Sequence, residues 1–194
     1  MIGHLSTGGH VVLVGLMGSG KTSVGRRLAT RLDRDFLDAD EALVEIADRS
    51  IPEIFATDGE EGFRAIEADV LEELLEHHRP AVIATGGGVV LREDNRRRLQ
   101  DPATTVVWLD ASPAFLSSRV QTKAHRPLLH GPETPRQVLE RLHAERAPLY
   151  AEVADIVVDV EPFQAPSGPS QGLAERIADL VIARQTAAPG VGTS

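Results

Sequence analysis

Gly15-Leu16-Met17-Gly18-Ser19-Gly20-Lys21-Thr22 follows an apolar run, His10-Val11-Val12-Leu13-Val14, and precedes a segment with Val24, Leu28 and Leu32 spaced four residues apart. The run suits a strand buried on both faces, and the spacing marks one face of a helix. Residues of the form G-x-x-x-x-G-K-[ST] in that setting read as a phosphate loop. The glycines let the backbone turn tightly and aim N–H groups at phosphate oxygens, and the helix points its positive end at the same anion. Gly15, Gly18, Ser19, Gly20, Lys21, Thr22 and Ser23 are therefore the expected contacts of a nucleoside triphosphate. Lys21 suits the β- and γ-phosphates, and the Thr22 hydroxyl suits Mg²⁺.

Outward from this loop, strand-like and helix-like segments alternate along the chain. Strands are predicted over residues 35–38, 80–84, 104–109 and 155–159, in addition to the one before the loop. Helices are predicted over 41–49, 51–57, 60–78, 93–99, 112–122, 134–150 and 173–185. Ser50 with Pro52, and Thr134 with Pro135, are start signals for two of them. Residues 164–171, rich in Pro, Ser and Gly, read as a loop. The alternation predicts a three-layer α/β fold: a five-stranded parallel sheet with helices on both faces. One kinase-like domain is expected over residues 10–186, with a loose lead over 1–9, a lid near 123–132 and a disordered tail over 187–194.

Composition narrows the function. The 194 residues carry a formal net charge of −9, so the chain as a whole offers no basic face for nucleic acid. There is no cysteine, which excludes disulfides and thiolate metal sites and suits a reducing cytoplasm. No run approaches the roughly 20 apolar residues that span a bilayer, and the first residues lack the pattern of a signal peptide. A soluble cytoplasmic monomer is expected. The Arg96-Arg97-Arg98 run reads as a solvated helix face, and Trp108 as core or near-core.

A guanine-reading GTPase is excluded, because the only asparagine, Asn95, is followed by Arg96 and no N-K-x-D segment exists. A small-metabolite kinase fits the length. It needs a carboxylate near the metal, a group to orient the attacking hydroxyl, and a lid. Asp38-Ala39-Asp40 ends the second strand, where acceptors of open α/β sheets bind. Asp38 can hold Mg²⁺ through water while Asp40 takes the proton of a substrate hydroxyl, or the pair can simply cap a helix. Gly86-Gly87-Gly88 can leave room for a ligand or serve as a plain turn.

Phe36-Leu37-Asp38-Ala39-Asp40, Ile54-Phe55-Ala56-Thr57-Asp58-Gly59-Glu60 and Phe63-Arg64-Ala65-Ile66-Glu67 occur in an order that resembles the shikimate kinase family. Gly86-Gly87-Gly88, Arg126-Pro127-Leu128-Leu129 and Arg146-Ala147-Pro148-Leu149-Tyr150 continue the resemblance, which spans about residues 11–160. It implies ATP-dependent phosphorylation of the 3-hydroxyl of shikimate. It also implies that Asp40, Arg64, Gly86, Gly87, Gly88 and Arg146 surround shikimate, with Phe55 and Phe63 walling its ring. Arg64 and Arg146 would grip the carboxylate; read unaided, each would be a solvated helix charge. Lys21, Asp40 and Arg126 become the expected catalytic set, with Arg126 on the lid and Arg119 against adenine. The loop Glu161-Pro162-Phe163-Gln164-Ala165-Pro166 lacks the basic residue often found there in the family. A gluconate-type sugar-acid kinase is the alternative enzyme. A nucleotide-dependent binding module without turnover is the alternative outside enzymes.

Overall fold

The computed structural model describes residues 9–120, 133–165, 168–169 and 171–187. The expected lid, with Arg126, lies outside the described residues, as do the lead before Gly9 and the tail after Ala187.

Strand β1 (Val11–Val14) is wholly buried at the centre of a five-stranded sheet. β3 (Ala81–Ala84) and β4 (Thr105–Asp110) flank it, β2 (Asp35–Asp38) pairs with β3, and β5 (Ile156–Asp159) pairs with β4. Every pairing is parallel, with Val12 opposite Ile83 and Val106. The inner strands are near-continuous Val, Ile, Leu and Ala because both of their faces are covered; the edge strands β2 and β5 are only partly buried. The core thus forms the expected three-layer α/β arrangement.

Helix α1 (Lys21–Leu32) packs on α7 (Gln171–Ala187) and on β3. A second group joins α3 (Ile51–Leu75), α4 (Glu93–Leu99) and α6 (Pro135–Val153), with α5 (Pro113–Val120) packed on α6. α2 (Ala39–Ala47) leans on α3. Among the described residues no helix is long and apolar enough to cross a membrane.

Two expected helices, over 51–57 and 60–78, meet as the single span α3. Gly59 interrupts it at φ 71° and ψ −172°, a backbone state that side chains disfavour, so the helix axis breaks there. The span stops at Leu75, which leaves His77 and His78 beyond the helix. The stretch expected as a loop after residue 164 contains a two-residue antiparallel pair, Gln164–Ala165 with Gly168–Pro169. Capping boxes start α3 at Ser50 with Glu53 and α6 at Thr134 with Gln137. Parallel strands bring their carboxyl ends to one edge of the sheet. There β1 sends its crossover toward β2 while β3 sends its own the other way to β4, which opens a crevice.

Candidate active site

The crevice begins where β1 stops. Gly15, Gly18 and Gly20 hold φ of 139°, 87° and 98°, so the loop can turn back on itself before α1 starts. Gly20 caps α1 without any side-chain hydrogen bond, and the first turn holds no acidic residue. Asp38, Ser50 and Thr134, by contrast, cap α2, α3 and α6 with their side chains. The start of α1 thus has no side-chain cap, an arrangement that suits an anion. Lys21 Nζ donates to the carbonyls of Gly15 (2.7 Å) and Leu16 (3.1 Å), folded over the same loop. The Ser23 hydroxyl donates to Gly20 O at 3.2 Å. Ser19 is fully buried and its N–H bonds to Leu16 O at 3.3 Å, so it faces into the loop instead of outward.

Thr22 Oγ1 donates to Asp38 Oδ2 at 2.9 Å, which joins the start of α1 to the end of β2. The other oxygen of Asp38 accepts from the N–H groups of Asp40 (3.0 Å) and Glu41 (3.4 Å). The helix-cap reading of Asp38 is thus observed on one oxygen, while the other oxygen is held by Thr22 at the place expected for a metal. A hydroxyl beside one carboxylate fits a hard divalent cation that takes its other ligands from phosphate and water.

Gly86, Gly87 and Gly88, directly after β3, each meet a different part of the crevice. A Cβ on Gly86 would stand 2.7 Å from Glu67 Oε1 and 3.1 Å from Asp40 Oδ1. A Cβ on Gly87 would lie 3.4 Å from Met17 N and 3.5 Å from Gly15 O, against the phosphate loop. A Cβ on Gly88 would overlap the Arg64 guanidinium, at 2.2 Å from Nη1. The three glycines form a turn after β3 that also runs along the seam between the two halves of the crevice.

Across that seam stand the two arginines. Arg64 Nη1 donates to Glu67 Oε2 at 2.7 Å, and Nη2 reaches Glu60 Oε1 at 3.3 Å. Its guanidinium lies 5.1 Å from the Phe63 ring, which stacks on Phe55 with centroids 4.5 Å apart. Burial pushes the Glu67 carboxyl above the usual carboxylate range, and the Arg64 charge opposes that shift. Arg146 is 4% exposed and donates from Nη1 to Gly87 O at 3.0 Å. It makes no ion pair among the described residues. Neither arginine is the solvated helix charge that an isolated arginine suggests.

Arg119 lies at the end of α5, its guanidinium 5.5 Å from the Phe115 ring. The neighbouring Val120 abuts Gly18, so this helix end borders the phosphate loop. Arg126 lies outside the described residues. Arg96, expected in solvent, instead donates to the carbonyls of Val90 (2.8 Å) and Leu91 (3.2 Å) and pairs with Glu152. It thereby fixes the turn that follows the three glycines.

Glu67 and Tyr150 were given no role from the sequence. Glu67 stands one helical turn after Arg64, a spacing that could have marked it as a partner. The Tyr150 phenol donates to Gly87 O, an acceptor 63 positions away in sequence, and no local signal announces such a bond.

A phosphate loop facing buried arginines and a carboxylate across a glycine seam is the arrangement of a P-loop phosphotransferase acting on a small molecule. The family model described as "Shikimate kinase" matches residues 17–182. A shikimate kinase of Dechloromonas aromatica (strain RCB) is 51% identical over 150 residues, 77% of this chain and 80% of that protein. One of Synechococcus sp. (strain CC9902) is 43% identical over 176 residues, 90% of this chain and 89% of the other. The structure of the Acinetobacter baumannii shikimate kinase in complex with shikimate superposes with a TM-score of 0.82 at 38% identity, covering 92% of this chain and 96% of that one. A gluconokinase of Sinorhizobium meliloti 1021 shares the fold, at TM-score 0.58 and 21% identity, over 92% of this chain and 93% of that one. The chain belongs to the shikimate kinase family.

Proposed function

We propose that this chain transfers the γ-phosphate of ATP to the 3-hydroxyl of shikimate, giving shikimate 3-phosphate and ADP. The observation that carries the acceptor's chemistry is Arg146, a buried guanidinium with no carboxylate partner among the described residues. Glu67 offsets the Arg146 charge only in part and forms no ion pair with it, and an anionic substrate offsets the rest on arrival. The carboxylate of shikimate is such an anion. Arg64 shares the grip, and the stacked Phe55 and Phe63 offer an apolar wall to the ring. Gly86, Gly87 and Gly88 line the acceptor between them.

Lys21 and the N-terminus of α1 hold the β- and γ-phosphates, with Gly15, Gly18, Gly20 and Ser23 completing the loop. Asp40, beside Gly86, orients the 3-hydroxyl and accepts its proton. The hydroxyl oxygen bonds to the γ-phosphorus as the β–γ bridging P–O bond breaks, and ADP leaves with that electron pair. Thr22 and Asp38 are the residues that would hold Mg²⁺, which supplies charge neutralisation on the phosphates. Arg126 is assigned to the transferring phosphoryl group and Arg119 to adenine. All of these groups come from one chain, so a monomer suffices. The cysteine-free sequence suits the cytoplasm we propose for it.

ADP release, followed by a coupled assay with MgATP, tests the proposal. Release with shikimate, and none with gluconate or without an acceptor, is expected. Equal release in all three reactions, or none with shikimate, overturns it.

A further inference from the structure

Gly87 O receives two donors from one helix. Arg146 Nη1 reaches it at 3.0 Å, and the Tyr150 hydroxyl, one turn further along α6, donates to the same oxygen. Tyr150 is 1% exposed, and its ring lies against Trp108 of β4 with centroids 5.6 Å apart. That packing leaves the phenol little room to turn. Burial raises the phenol well above its usual range, so it stays protonated and keeps donating. A Cβ on Gly87 would come within 3.4 Å of Met17 N and 3.5 Å of Gly15 O, so this turn runs close to the phosphate loop. A single carbonyl thus ties the carboxylate-binding arginine to the seam beside the donor phosphates.

We infer that Tyr150 is a positioning residue for the acceptor: by pinning Gly87 O, it holds the anchor from which Arg146 presents its guanidinium to the substrate carboxylate. In this role Tyr150 acts through Gly87 and Arg146, not by contact with a substrate. The inference rests on the shikimate reading proposed above. The geometry gives the reason for its effect: a guanidinium with one nitrogen fastened to a fixed carbonyl has lost its rotameric freedom before the substrate arrives, so less entropy is lost on binding. Without the phenol, the Gly87 peptide can rotate, and Arg146 can move with it.

Tyr150→Phe removes only the hydroxyl. Expected is a rise in KM for shikimate of roughly fivefold or more, the scale of one buried hydrogen bond. KM for ATP and kcat should stay near wild type, and the melting temperature should fall by about 2–4 °C, the cost of one buried hydrogen bond. In an Arg146→Ala background the same substitution should cost nothing further, because the residue it acts through is gone. An unchanged KM for shikimate overturns the inference. So does a proportional rise in both KM values, or a full multiplicative effect in the double variant. Wild-type protein that releases no ADP with shikimate would sink the functional reading itself, a separate result.

A second measurement does not depend on any substitution at 150. Tyr150 is the only tyrosine, so 3-fluorotyrosine incorporation labels this position alone. The ¹⁹F resonance should shift when shikimate is added without nucleotide and should not respond in Arg146→Ala. A resonance indifferent to shikimate, or one that responds equally in both proteins, overturns the inference.

Discussion

Asp40 stands in the first turn of α2, beside the second carboxylate, Glu67, that faces Gly86. The role proposed for it is transfer of a proton in the step itself. Asp40→Asn keeps the shape and removes the basic oxygen. We predict a loss of kcat of about 10²–10⁴-fold with ATP affinity close to wild type, read by steady-state kinetics and nucleotide calorimetry. Near-normal turnover would refute the role. Gly88 tests the other half of the acceptor site. A methyl group there would overlap the Arg64 guanidinium, which must swing away from Glu67. Gly88→Ala should therefore raise KM for shikimate at least tenfold while leaving ATP binding and the far-ultraviolet spectrum unchanged. An unchanged KM would show that Arg64 can yield without loss.

Helix α2 starts on a residue that also accepts from Thr22, in the first turn of α1. One oxygen of Asp38 caps the helix and the other accepts from Thr22. The two tasks can be separated. Asn caps about as well as Asp, whereas Ala does not and costs about 1 kcal/mol. Asp38→Asn should melt near wild type yet need several-fold more Mg²⁺ for half-maximal rate. Asp38→Ala should show the same Mg²⁺ defect and also a lowered melting temperature. A Mg²⁺ requirement unmoved in both variants would confine Asp38 to capping. α3 shows a related division. Its break at Gly59 separates the turn carrying Phe55 from the turn carrying Phe63 and Arg64, and the ring stack rejoins them.

At the scale of the whole molecule, the end of the sheet opposite the crevice carries a titratable cluster. His10 Nδ1 accepts from the N–H of Ala81, at the start of β3, at 3.2 Å. His77 pairs with Asp35 at 3.2 Å, and Arg79 approaches the same carboxylate at 3.7 Å. Burial, together with the nearby His77 and Arg34, lowers the His10 pKa below its usual 6.5. The unfolded chain therefore binds a proton at a higher pH than the fold does. The stability from neutral His10 is present above 6.5 and is lost as pH falls below it toward the lower folded value. His10→Gln keeps an acceptor but does not titrate. Between about pH 7.5 and 5.5, its melting temperature should fall less than that of wild type. Parallel curves would refute the assignment.

Sequence alone determined the phosphate loop and the α/β order, because both rest on local rules. Glycine tolerates positive φ at Gly15, Gly18 and Gly20, and an apolar β-branched run such as Val11–Val14 has few stable places other than mid-sheet. The acceptor residues were legible only as an ordered set of short motifs. Nothing local distinguishes Arg146 from a solvated helical arginine. Tertiary structure decided which groups meet. Arg146 and Tyr150 converge on a carbonyl some 60 residues away, Glu67 turns to Arg64 and Gly86, and Thr22 reaches Asp38 across the sheet end. Burial, shared acceptors and a guanidinium with no ion pair among the described residues arise from packing between distant segments, and no periodicity within one segment encodes them.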